Sequence, residues 1–501
     1  MNYDEIDKIR GCWTGKCLGG VAGMPYEGVP EPPNLTEDGI VLNNVPNDDL
    51  EMQLVWMTAL EKHGLAMREK EFGETWLEHI PHGCDEYCVA ERNLRRGIFP
   101  PASGWKDNFF VDGMGATIRS EIWALLLADR PDAVAFFAGQ DAQVDHWGDG
   151  VWGEIFLAVA EALAFASGKV EESLRRTLGM ISPDCKIHRA LARVFQLYDS
   201  HFSLAEARND LMLTIQRSDN FSDCVMNITF IVFALLWGKG DFIRTILLAV
   251  NFGRDTDCTG ASCGAFLGIA FGLKVFPEKW LSAVEEHLAL SDYVREIPGI
   301  PTTMTELVEK TVALRQQFRH QMPDEPYPQY VPYSPEETLP SQDSSRWLIL
   351  KNCQTAEDIE VALRQSGTLP EELQNAVIDF PGLILNLSEY AGNACTLDLF
   401  TFLTVTEENT TPPEDIVICV AADVGLTFWM DGHRLLNHHS RRKMIPAFHR
   451  TEGGASFACP LHNGEKHLLH LRLYSCLPPL QACVMFGNVF NDHLEGFKLS
   501  L

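Results

Sequence analysis

Two short acidic clusters have the residue types and spacing for metal chemistry. Asn47-Asp48-Asp49 opens an apolar helical run that continues to about His63, and Gly253-Arg254-Asp255-Thr256-Asp257-Cys258-Thr259 opens another that ends at Gly272. A helix N-terminus favours negative charge, and a single Asp there is accounted for by N-capping. Two acids crowded at one helix start repel each other unless a cation joins them. Asp-x-Asp offers hard oxygen ligands suited to Mg2+ or Mn2+. Two such pairs, each opening a buried-looking helix, favour one shared metal site over two independent caps.

The elements that must position these acids are marked by glycine. Gly260, Gly264, Gly268 and Gly272 recur every four residues behind Asp255 and Asp257. Gly11, Gly15, Gly19 and Gly23 do the same in a segment that reads as helical from about Tyr3 to Met24. Four-residue spacing puts each set on one helical face, where a neighbouring backbone can approach closely. The two stripes are expected to pack against each other or against one shared neighbour.

Helical periodicity dominates as far as about Phe318. Apolar residues recur at three- and four-residue spacing in Leu50–Leu60, Ser120–Leu127, Asp132–Ala142, Gly153–Ala166, Ser173–Met180, Ile187–Tyr198, Leu204–Ile215, Val225–Trp237 and Phe242–Val250. Residues 1–320 are therefore expected to form an all-α domain. Between the helices lie Asp112-Gly113-Met114-Gly115, a Gly-x-Gly that suits either a phosphate-cradling loop or a tight turn, and the His-bearing loop Asp145-His146-Trp147-Gly148. Asp219–Asp223 reads as an interhelical loop whose Ser222 or Asp223 caps the next helix.

Residues 321–346 change character, with Pro323, Pro326, Pro328, Pro332, Pro335 and Pro340 among acids, Ser and Tyr. This reads as a linker. Residues 347–501 are strand-like: Ile416–Val420 is a β-branched apolar run, and Leu426–Met430, Asp431-Gly432 and His433–Leu436 read as a hairpin. With Leu469–Leu473 and Gln481–Phe486 they predict a smaller β-sandwich of jelly-roll type.

Composition narrows the partners. The chain has 501 residues, is 46% hydrophobic and carries a net charge of -29, which repels phosphate polymers and argues against nucleic acid. No uninterrupted apolar run has membrane-spanning length, and the N-terminus lacks a signal peptide's basic and apolar regions, so a cytoplasmic protein without a membrane partner is expected. Its 14 cysteines follow no repeating framework and read as reduced thiols. Cys84 and Cys88, near His79 and His82, lack the spacing of a zinc site.

With Asn47-Asp48-Asp49, Gly113-Met114-Gly115-Ala116, Asp145-His146 and Gly253-Arg254-Asp255-Thr256-Asp257 in that order, residues 5–315 resemble the ADP-ribosylglycohydrolase family. The family includes the dinitrogenase reductase-activating glycohydrolases and the ADP-ribosyl-acceptor hydrolases. The resemblance implies an all-α globule with two Mg2+ ions (Mn2+ being an alternative) in a cleft, and hydrolysis at the ribose anomeric carbon of ADP-ribosylated proteins or small acceptors. It makes Asp48, Asp49, Asp255 and Asp257 metal ligands, with Asn47 and Cys258 standing where ligating threonines are usual. Glu27 resembles the acid at the cleft entrance, and the catalytic carboxylate is expected among Asp48, Asp49 and Glu27. Gly113, Met114, Gly115, Asp145 and His146 match positions that contact substrate. Phe428–His433 and the Asn463–Lys466 turn look like galactose-binding-like sandwich modules, which bind sugar, cover a cleft or form a homo-oligomer interface. Hydrolysis of another ribosyl, glycosyl or nucleoside-like substrate, and a catalytically silent binding scaffold, remain as alternatives.

Overall fold

The two glycine-striped helices lie antiparallel with their backbones in contact. α1 (Tyr3–Gly23) runs against the helix Thr256–Phe271. In this computed structural model, a methyl group added at Gly15 would lie 2.1 Å from Gly264 O, one at Gly19 2.0 Å from Gly260 O, and one at Gly23 2.0 Å from Thr256 O. The reciprocal positions Gly260, Gly264 and Gly268 are as tight against Gly19, Gly15 and Gly11. Only hydrogen fits at this seam, which is why the glycines recur every fourth residue on both helices. The register places the C-terminal end of α1 beside the N-terminal end of its partner, so Thr256 Oγ1 donates to Gly23 O at 2.8 Å.

The structure describes residues 3–29, 33–81, 83–215, 219–331, 344–392, 395–439 and 442–501. The expected linker residues Pro332, Pro335 and Pro340, and His82 of the Cys/His group, lie outside them. The chain divides into two units, Met1–Pro81 with Asn93–Tyr333 and His82–Arg92 with Ser334–Leu501.

The first unit is helical throughout. The expected helices appear as α2 (Asp48–His63), Ser120–Leu127, Pro131–Ala142, Asp149–Ser167, Val170–Leu178, Lys186–Asp199, Leu204–Thr214, Cys224–Gly238 and Phe242–Val250. Asp223 caps Cys224–Gly238 through Met226 N at 3.0 Å. The sequence reading did not single out Glu69–His79 or Met304–Gln321, whose apolar residues are diluted by charged ones. Asp149–Ser167 is long and apolar enough on average to cross a membrane, but it is mostly buried inside this unit and carries Glu154 and Glu161 there. It is a core helix.

The second unit is an antiparallel β-sandwich. Its strands are β1 (Ser344–Lys351), β2 (Val377–Pro381), β3 (Ile384–Asn386), β4 (Cys395–Val405), β5 (Ile416–Ala422), β6 (Leu426–Met430), β7 (His433–His438), β8 (Gly454–Ala458), β9 (Lys466–Cys476), β10 (Gln481–Asn488) and β11 (Phe497–Ser500). One sheet runs β2-β1-β4-β9-β6-β7, with β11 on β4, and the other runs β3-β10-β5-β8. Leu399, Leu471 and Phe428 from the first sheet share a core with Ile418, Val420 and Val484 from the second. The β6–β7 hairpin turns on Asp431 and Gly432, both at positive φ (52° and 79°), the geometry for which Asp-Gly is favoured. A helix absent from the sequence expectation, Ala356–Ser366, covers the outer face of the first sheet through Leu363, Phe400 and Leu468. The cysteines are free thiols.

The seam makes a direct prediction. Gly19→Ala should lower the stability of the helical unit by about 2–4 kcal/mol, because two backbones must move apart. Gly139→Ala, whose methyl would meet the flexible tip of Ile155 at 3.3 Å and Tyr330 Cβ at an ordinary 3.8 Å, should stay within about 1 kcal/mol of wild type. Denaturant titration followed by helical circular dichroism compares the two.

Candidate metal centre

N-capping does not account for the acidic residues. The N-cap of α2 is Asn47, whose Oδ1 accepts Asp49 N–H at 2.7 Å, so neither Asp48 nor Asp49 is needed as a cap. Asp255 sits at the N-cap of the partner helix yet makes no capping side-chain hydrogen bond. Gly253 and Arg254 both take positive φ (76° and 73°), and this left-handed pair turns the chain sharply into that helix. Arg254 also bridges to the segment after α1, with Gly28 N donating to Arg254 O at 2.9 Å and Arg254 N to Val29 O at 2.7 Å. That ladder carries Glu27 to the same end of the helix pair.

The resulting cluster is dense in negative charge. Ligating atoms of Asp49, Asp257 and Cys258 lie within 4.8 Å of one another, and all three residues are buried. Burial, then the charges of Asp255 and Asp49, pushes the Asp257 carboxyl well above its ordinary range. Burial, reinforced by Asp49 and Glu27, raises Asp255 to about 8 despite hydrogen bonds from its neighbours. Asp48 stands at the rim of the cluster and its residue surface is exposed, while crowding of its carboxyl by the cluster, with the charges of Asp49 and Glu27, raises it above the ordinary carboxylate range. Asp257 Oδ1 is buried and accepts no hydrogen bond. Four carboxylates so placed cannot all ionise cheaply without a cation, and an orphaned buried carboxylate oxygen is what such a cation would occupy. The donor set therefore fits a divalent metal.

One cation is already built in, and it was not anticipated from sequence. Lys16 projects from α1 into the core, with Nζ 3.3 Å from Asp49 Oδ1 and 2.8 Å from Glu121 Oε1. It also donates to Ile118 O at 2.9 Å. Gln53 Nε2 donates to Glu121 Oε2 at 2.8 Å, and Gln53 Oε1 accepts Ile122 N–H at 2.8 Å. Burial alone would lower the Lys16 pKa, but Glu121 and Asp49 reverse that and keep the amine charged. The available signal was a lysine inside an otherwise apolar, glycine-striped helix. Beside Asp49 a small recess of about 50 Å³ is lined by residues that include Lys16, Leu42, Asn44, Asn47, Leu50 and His287.

The remaining expected site residues are placed differently. Gly113, Met114 and Gly115 are all buried. Gly113 N–H donates to Phe110 O at 3.0 Å, and Asp112 O accepts Cys224 N–H at 2.8 Å, so this loop is pinned by its own backbone. Asp145 is fully buried in a two-bond pair with Arg119 (2.9 and 3.0 Å). Burial would raise its pKa, but the Arg119 and His146 charges outweigh it and hold Asp145 at about 2. His146 Nδ1 lies 2.9 Å from Asp145 Oδ1. Arg119 also pairs with Asp141 at 2.9 Å. Asp145 thus anchors the Arg119 core network rather than presenting a free carboxylate.

Comparison with known proteins identifies the family of the helical unit. The model of the family described as ADP-ribosylglycohydrolase matches residues 1–319. An uncharacterized protein of Archaeoglobus fulgidus is 25% identical over 311 residues, covering 58% of this chain and 96% of that protein. A solved structure titled ADP-ribosylglycohydrolase-related protein complex aligns at 20% identity with a TM-score of 0.45, covering 63% of this chain and 99% of that one.

The Lys16 network yields a stability test. Lys16→Met should destabilise the helical unit by about 3–5 kcal/mol by stranding buried carboxylates. Adding Glu121→Gln should recover part of that loss, a coupling that a double-mutant cycle in denaturant would measure.

Proposed function

The chain belongs to the ADP-ribosylglycohydrolase family, and on that premise we propose that it is a divalent-metal-dependent hydrolase of the ribosyl glycosidic bond in ADP-ribosylated proteins or small molecules. The observation that carries this reading is the convergence of Asp48, Asp49, Asp255 and Asp257 at one end of a helix pair, with raised carboxyl pKa values and an orphaned carboxylate oxygen. Mg2+ or Mn2+ suits the carboxylate oxygens. Once bound, such ions orient sugar hydroxyls and stabilise charge that develops in the transition state.

The protein's own groups divide the remaining work. Glycosidic cleavage passes through an oxocarbenium-like state at the anomeric carbon, and a carboxylate assists the incoming water. Asp49 is buried and tied to Lys16, which suits holding a cation rather than moving protons. Glu27 is exposed, and its charge is felt by Asp48, Asp255 and Asp257. Glu27 is therefore assigned as the general base. Water adds to the anomeric carbon as its proton passes to Glu27, the acceptor leaves with the bonding pair, and Glu27 returns the proton to it and becomes a carboxylate again. Asp48 remains with the cation.

A second reading keeps this centre and changes the substrate to a smaller glycoside. It is favoured by Met114, a buried apolar side chain at a position expected to contact substrate.

Asp255→Ala should abolish metal-dependent turnover of an ADP-ribosylated acceptor while leaving the helical melting transition in place. Glu27→Gln should lower kcat by about 100-fold or more with metal affinity retained. Full activity in the Asp255 variant would remove the metal-centre assignment, and unchanged kcat in the Glu27 variant would remove Glu27 as base.

A further inference from the structure

We infer that the position formed by Asp49, Asp257 and Cys258 selects a borderline divalent ion of the Zn2+, Co2+ or Fe2+ class over Mg2+, with the Cys258 sulfur as a direct ligand. The inference rests on the metal-centre reading above and specifies its chemistry. Cys258 lies in the first turn of the Thr256–Phe271 helix, one residue after Asp257. Its sulfur is within 4.8 Å of ligating oxygens from both carboxylates, close enough for one ion to touch all three. Cys258 is 8% exposed as a residue, and its sulfur lies among the ligating oxygens of the cluster.

The surrounding residues support a built site. Asp257 Oδ1 is buried without a hydrogen-bond partner in a residue only 5% exposed. Lys16 Nζ lies 3.3 Å from Asp49 Oδ1, which ties the carboxylate down and supplies part of the compensating charge. The neighbouring hydroxyls do not compete for the position. Thr256 Oγ1 donates to Gly23 O at 2.8 Å, and Thr259 Oγ1 to Thr256 O at 3.3 Å.

Ligand softness then decides the metal. Mg2+ holds an octahedral oxygen shell and gains little from sulfur, whereas thiolate binds Zn2+ and its borderline neighbours strongly. Two carboxylates and one thiolate make a three-ligand set that leaves a coordination position open, the arrangement of catalytic rather than structural zinc sites. Asp48 and Asp255 contribute oxygen donors to the same cluster, so an oxygen-only position for Mg2+ or Mn2+ is compatible with the mixed one.

The test uses the full chain, stripped with a chelator and titrated with Co2+ under reducing conditions. The expected result is a near-ultraviolet thiolate-to-cobalt charge-transfer band that saturates with added metal. Zn2+ should erase the band stoichiometrically, and a large excess of Mg2+ should leave it. Cys258→Thr should lose the band and more than about 10-fold in Zn2+ affinity, since even an outer-shell partner is worth that much, while Mg2+ binding persists. Wild-type Co2+ binding without the band, an unchanged band in Cys258→Thr, or displacement by Mg2+ as easily as by Zn2+ would overturn the inference and leave the oxygen-ligand centre standing. Failure of every divalent ion to bind the wild-type chain would overturn both.

Discussion

The closeness of two backbones sets the rest of the helical unit. Where α1 meets the Thr256–Phe271 helix, each glycine of one faces a carbonyl of the other with no room for a methyl group. That contact fixes the register, and the register decides which helix ends meet. Glu27 follows the end of one helix, while Asp255, Asp257 and Cys258 begin the other. A slip by one turn, about 5.4 Å along the axis, would separate these groups by more than a ligand sphere can span. The glycine seam is therefore the mechanical basis of the acidic cluster.

Electrostatics imposes the second constraint. The helical unit buries several charged side chains, which is unfavourable unless each is paired. Lys16 with Asp49 and Glu121, and Arg119 with Asp141 and Asp145, are two such solutions. They differ in what they leave over. Arg119 engages Asp145 so completely that its carboxyl stays ionised far below neutral pH. Lys16 compensates only part of the acidic cluster, and Asp48, Asp255 and Asp257 keep raised pKa values. A surplus of carboxylates stands at the end of the helix pair, where a divalent cation would offset part of it.

Much of this was legible from residue spacing alone, for identifiable reasons. The glycine stripes were readable because close backbone packing tolerates little else, and the Asp431-Gly432 hairpin because both turn residues need positive φ. The acidic pairs suggest a shared site in the sequence because two acids crowded at each of two helix starts repel unless a cation joins them, and the structure brings Asp49, Asp257 and Cys258 together. Lys16 was overlooked because one lysine in a helix normally snorkels to solvent, and only the tertiary arrangement reveals the buried carboxylates awaiting it. β4 was not singled out because it is buried on both faces, by the sandwich core on one side and by the Ala356–Ser366 helix on the other. Such a strand shows no alternation. The pairing of Asp145 with Arg119 is not legible in the sequence, because the two lie 26 residues apart and only the fold brings them together.

Calorimetric titration of ADP-ribose into the full chain, once stripped of metal and once loaded with Mg2+ or Mn2+, tests whether the helix-pair terminus is a metal centre that engages an ADP-ribosyl group. The expected result is binding to the loaded protein and its loss after stripping. Equal ADP-ribose affinity in both states, or metal binding with no ADP-ribose affinity in either, would contradict it.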